Sequence, residues 1–196
     1  MGAISLKYKS KSGNLTAPGD VDPGAFIPIA STTLSTAAAT ITFSNIPQNY
    51  DHLQIRGIGR SSTATATDVD LRLQFNSDTG ANYSIHYIYG SGSASTTAAG
   101  AISQTYANGG IVVKDGNLAN LYSPNIIDIL DYSNSNKNKV VKSMSGWTTN
   151  VVGYAYLNSS GWFNTAAITD ITLQPWQGNF MAYSSFALYG IKKAGA

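Results

Sequence analysis

The sequence predicts an all-β fold, a jelly-roll-like antiparallel β-sandwich with an extended amino-terminal arm, on three observations. Val69, Leu71, Leu73 and Phe75 alternate with Asp70, Arg72 and Gln74, the period of two that gives a strand one dry face and one wet face. All ten acidic residues of the 196 are Asp and none is Glu, a choice that suits turns and strand ends and not helices. About ten apolar or alternating runs are separated by Ser, Thr, Asn, Asp and Gly clusters at near-regular spacing, with no amphipathic helix between them, as in a sandwich.

Taken in order, residues 1–24 form the arm and residues 25–196 one sandwich domain. Lys7, Tyr8, Lys9 and Lys11 make the start of the arm basic, and Pro18, Gly19, Pro23 and Gly24 punctuate its end. Such a segment has no core of its own. It suits docking on another subunit. Phe26 to Ala30 reads as an edge strand because Pro28 cannot donate to a ladder. Thr40 to Ser44 alternates, pointing Ile41 and Phe43 inward, and Asn45 to Tyr50 makes a corner. Three central strands follow, around Leu53 and Ile55, over Val69 to Phe75, and over Tyr83 to Gly90. Polar loops separate them, over Ser61 to Thr67 and Asn76 to Asn82. Gly90 to Gly100, low in complexity, is expected as a flexible surface excursion. Asn125 to Tyr132 is apolar on both faces and is expected deep in the stack. After the turn Ser133 to Lys139 come strands from Val140, Val151, Ile168 and Phe180.

Only 11% of residues are charged, so solubility rests on hydroxyl and amide groups. The net charge of +2 is small and scattered, which argues against nucleic acid or a membrane surface as partner. Cysteine is absent, excluding disulfides and thiol chemistry. No apolar run approaches the roughly 20 residues of a membrane span, and Met1 to Ile4 lacks the start of a secretory signal.

The segments Phe43 to Arg56, Asn82 to Tyr87, Asp128 to Tyr132 with its Asn/Lys turn, and Phe186 to Lys192 resemble small virion structural proteins of tailed bacteriophages, cyanophages included. The likeness covers most of residues 26–192, and the arm from Lys7 to Leu15 is similar to the start of some of these proteins. The resemblance implies a sandwich that assembles on a particle, on the capsid or in the tail, and it carries over no catalytic residue.

Candidate chemistry is thin. Asp68 with Asp70 and Asp128 with Asp131 are the close acidic pairs; Asp68 is expected at a loop edge and Asp70 opposite the apolar stripe, in solvent and not in the perturbed environment that marks a catalytic acid of glycoside hydrolysis. His52 and His86 fall short of the three or four ligands that zinc needs. One carboxylate in Asn76 to Gly80 is too few for calcium. Gly57-Ile58-Gly59 lacks the third glycine and following helix of a phosphate loop and reads as a bend or bulge. No catalytic residue, metal or cofactor is expected.

Aromatic residues are the surface feature that favours a partner. Trp147, Trp162 and Trp176 are the candidate loop contacts to a partner or a glycan, with Trp162, between Asn158 and Asn164, expected to be exposed at a loop. Tyr83, Ile85, Tyr87 and Tyr89 share one strand face and are expected in the core. The expected function is a non-enzymatic virion protein, a capsid decoration or cement protein made without an export signal. A tail fibre or tail-tip component and a host-glycan-binding module are the alternatives. Its expected partners are itself, as a homo-trimer or other symmetric oligomer, and the major capsid protein or tail subunits.

Overall fold

The computed structural model describes residues 26–64, 69–92 and 96–192. The arm, with Lys7, Tyr8, Lys9 and Lys11, lies outside the described residues. The strands are β1 (Phe26–Thr33), β2 (Ile41–Phe43), β3 (His52–Ser61), β4 (Val69–Phe75), β5 (Tyr83–Gly90), β6 (Thr96–Gln104), β7 (Ala107–Lys114), β8 (Ser123–Leu130), β9 (Lys139–Thr148), β10 (Gly153–Trp162), β11 (Ile171–Pro175) and β12 (Ser185–Ile191). No helix is present among the described residues. The fold is all-β, as expected, in two layers.

The large layer runs β1-β12-β3-β8-β9-β10-β5-β6, antiparallel throughout. The small one runs β2-β11-β4-β7, also antiparallel. They join where the end of β3 pairs in parallel with the end of β7, Arg60 opposite Val113. The division is therefore eight strands against four. Alternation explains the small layer: β4 buries Val69, Leu71, Leu73 and Phe75 completely and turns Asp70, Arg72 and Gln74 outward. Ile171 and Leu173 of β11 and Ile41 and Phe43 of β2 continue the dry face. Leu53, Ile55, Ile127, Ile129, Val141, Phe186 and Leu188 meet them from the large layer in one core.

Close approach fixes where the layers can join. A Cβ at Gly57 would collide with the Phe186 ring, and one at Gly59 would come within 2.7 Å of Val112. These glycines therefore serve packing, and the pairing of β3 with β8 and β12 shows no bulge there. The irregularity falls instead opposite Asn108-Gly109-Gly110, where the register of β4 on β7 slips between Asp70 and Arg72. Gly110 has φ 122°, a conformation that favours glycine.

Three expectations are corrected. Of the expected excursion over residues 90–100, residues 93–95 lie outside the described residues, and residues 96–100 belong to β6, which begins at Thr96 and pairs with β5 along its length. Its small side chains carry no alternating pattern, and the ladder to β5 orders it. The segment from Asn125 is buried on one face only: Ile127 and Ile129 are inside, whereas Ile126 and Leu130 are 39% and 40% exposed. Apolar residues on both faces here mark an uncovered outer surface. Among the described residues twelve strands stand in place of about ten, because β6 and β7 give no period-2 signal. In β7 residues 107–113 are all buried, two of them glycines.

Candidate functional site

The three tryptophans have different fates. Trp162 ends β10 and is 1% exposed, and its ring centroid lies 5.5 Å from that of Phe75 and 6.2 Å from that of Tyr83. The expectation of an exposed Trp162 is thus corrected. The Asn, Ser and Gly around it form a strand because β9 and β5 flank them in full register, which overrides their weak strand propensity. Trp147 is also buried, at 6%, on β9 against Ile111 and Val113. Trp176, just past β11, is 48% exposed. It alone of the three stands at the surface.

Asp78 shows why Trp162 is inside. The indole Nε1 donates to Asp78 Oδ2 at 2.8 Å, joined by Asn82 Nδ2 at 3.0 Å and by the Gly80 backbone N–H, at 2.8 Å from Oδ1. Partial burial by itself would raise this carboxyl, yet the donors Trp162, Asn82, Gly80 and Asn164 outweigh it and hold the group below its ordinary value. The Asn76–Gly80 loop, weighed for calcium, thus directs its carboxylate at hydrogen-bond donors. Beneath it, burial pushes the Tyr83 phenol up to about 12, with its hydroxyl donating to the Asp78 carbonyl.

The residues weighed for other chemistry are dispersed. His52 on β3 and His86 on β5 stand four strands apart in the large layer, a span of about 19 Å at ordinary strand spacing. His52 Nδ1 accepts from the Asp131 backbone N–H at 3.0 Å. Asp131 pairs with Lys137 at 2.6 Å, while Asp128 lies on the outer face of β8 and accepts from Gln54 Nε2 at 2.7 Å. Asp70 accepts from Asn108, and Asp68 lies outside the described residues.

Tyr83 and Ile85 are buried as expected, but Tyr87 and Tyr89 are half-buried. They continue as a ladder of rings onto Tyr154 and Tyr156, which pack against Ile111 and Val113 of β7. Tyr89 and Tyr156 stack with centroids 4.6 Å apart and planes 10° from parallel.

The outer face of the large layer is a surface that no sequence pattern singled out. Ile126, Met144, Leu157 and Ile88 stand in register on β8, β9, β10 and β5, and Ala98 of β6 continues the row. The first four are 39%, 61%, 51% and 45% exposed. Ile58, Leu130 and Val140 extend the apolar surface, at 44%, 40% and 42%. A polar row crosses beside it through Gln54, Asp128, Lys142, Ser159 and His86. Two shallow hollows, of about 650 and 530 Å³, open along the apolar row, one around Leu157 and Ile88 and the other around Ile126 and Met144. These apolar side chains form one contiguous exposed patch, unlike the scattered single residues of an ordinary protein surface. The signal existed in the sequence as the double apolar face of Asn125 to Tyr132, which is equally compatible with deep burial.

No protein-family model, curated protein or solved structure matches this chain.

Proposed function

We propose that this chain is a non-enzymatic structural subunit that works by assembly, a capsid decoration or cement protein of a tailed-phage particle, and that copies of it meet through the outer face of the large layer. The observation that carries the reading is the exposed row Ile126, Met144, Leu157 and Ile88, in register across four adjacent strands. Burying the exposed parts of these side chains against a like surface contributes about 1 kcal/mol apiece. The size of the face supports a second copy as occupant. Eight strands of seven to ten residues, at about 4.8 Å spacing and about 3.3 Å rise, give a plan area of roughly 1,000 Å². A standard interface takes roughly 800 Å² per partner.

The place on a phage particle rests on the sequence resemblance, and attachment to the shell is assigned to the arm through Lys7, Tyr8, Lys9 and Lys11. Sedimentation equilibrium of the full chain tests the face. A symmetric oligomer that Met144→Asp with Leu157→Asp converts to a folded monomer is expected. A wild-type chain that stays monomeric at every concentration, or an oligomer indifferent to both substitutions, overturns the reading. For the arm, replacing Lys7, Lys9 and Lys11 by Glu is expected to prevent binding to stripped particles while the oligomer persists.

A further inference from the structure

We infer that the outer face of the small layer carries a binding site for a neutral saccharide, built on Arg72 between the rings of Tyr106 and Trp176. Alternation along β4 turns Arg72 outward, and register places Gln174 of β11 directly across from it. Just beyond Gln174, the Trp176 backbone N–H donates to the Asp70 carbonyl at 2.9 Å, which seats the indole beside the arginine. The guanidinium carbon lies 3.9 Å from the Tyr106 centroid and 5.7 Å from that of Trp176.

What sets this arginine apart is the state of its donors. Arg60, buried near the join of the layers, is a structural arginine whose donors are engaged by the Asp115 carboxylate and by the carbonyls of Asp115, Leu118 and Leu121. Arg72 contacts ring faces and, among the described residues, hydrogen-bonds to no acceptor, even at its fully buried Nε. The rings hold the guanidinium in place, so a ligand that supplies acceptors meets a donor fork whose ordering cost is already met. Beside it the half-exposed indole offers an apolar face with a polar edge, the surface on which the C–H face of a pyranose ring packs.

Charge narrows the ligand. Asp70, two residues from Arg72 on the same strand face, disfavours a bare anion at the fork. A hydroxyl-rich neutral ring satisfies the arginine without adding negative charge beside that carboxylate. This site lies on the layer opposite the assembly face and stands or falls independently of it.

Tryptophan emission reads the site directly, because Trp147 and Trp162 are buried and Trp176 is exposed. The probes are neutral hexasaccharides of glucose, galactose, mannose and N-acetylglucosamine, titrated into the full chain. A saturable blue shift is expected with at least one of them. By calorimetry with that probe, Arg72→Met and Trp176→Phe are each expected to weaken binding by about tenfold or more, with melting curves showing both variants folded. No saturable change with any probe, or binding undiminished in folded Arg72→Met, overturns the inference.

Discussion

The two outer faces of this sandwich are opposites. On the large layer an apolar row crosses neighbouring strands with its side chains in water, flanked by a polar row whose Asp128 stands opposite Lys142 and accepts from Gln54. On the small layer the outward positions are polar: Thr42 and Thr172 share a hydrogen bond, Gln74 donates to the Thr105 carbonyl, and Arg72 sits between two rings. Both layers bury their inner faces against the same core. Folding therefore accounts for the inner faces and leaves the outer ones to be explained by what they meet: a broad dry surface suits another protein surface, whereas a cation framed by aromatic rings suits a small polar ligand.

Neighbouring isoleucines on one strand give the largest contrast. Ile127 points inward with 0% exposure, and Ile126 points outward at 39%. Ile127→Ala is expected to destabilise the monomer by about 2–5 kcal/mol, the range for emptying a packed core position. Ile126→Ala is expected to leave the monomer within about 0.5 kcal/mol while weakening self-association. Chemical denaturation of both variants, at a protein concentration where the wild type is monomeric, checks the pair. Equal losses would mean that the outer row already belongs to the folded core and that the face is not a free surface.

How much of this was legible in the sequence depends on whether one period governed a segment. In β4 a single alternation set both the strand and its burial, and sequence and structure agree residue by residue. Segment 125–132 carried apolar side chains at both parities, so the sequence could not tell a strand covered on both sides from one whose second face waits for a partner. Asn, Ser and Gly around Trp162 carry turn propensity and by themselves point to a loop, while the ladders from β9 and β5 and the acceptor at Asp78 act from distant parts of the chain. The Arg72 site was half visible. Trp176 stands out in the sequence as an aromatic residue suited to a contact, but its neighbours arrive through the register of β11 on β4 and the segment leading into β7.

Asp78 supplies an intermediate effect and separates the buried tryptophan from the exposed one. Asp78→Ala leaves the indole N–H of Trp162 without its acceptor in a site 1% exposed, at an expected cost of about 1–3 kcal/mol. The sign of its pH dependence follows from the lowered folded-state pKa. The stabilisation is present above the ordinary value of 3.8 and is lost as the pH falls through the lower folded value. The stability gap between wild type and Asp78→Ala is therefore expected to be constant near neutrality and to close below about pH 4. Urea melts at successive pH values check it, and a gap that persisted at lower pH would show that packing, not the carboxylate, holds Trp162.

The smallest effect on stability is expected where the ligand site is placed. Trp176 is half exposed and Arg72 donates to no protein acceptor among the described residues, so Trp176→Ala forfeits little beyond one cation–π contact, about 0.5–1 kcal/mol at an exposed position. Arg72→Lys keeps the charge but replaces the planar fork with a compact ammonium that stacks poorly on Tyr106, and a loss of similar size is expected. If the arginine were instead a structural strut like Arg60, removing its fork would leave partner groups unsatisfied and cost several times more. Thermal melts of the two single variants and the double variant decide between these. Losses near 1 kcal/mol, less than additive because both changes weaken the contact between Arg72 and Trp176, are what a ligand site held by ring faces requires.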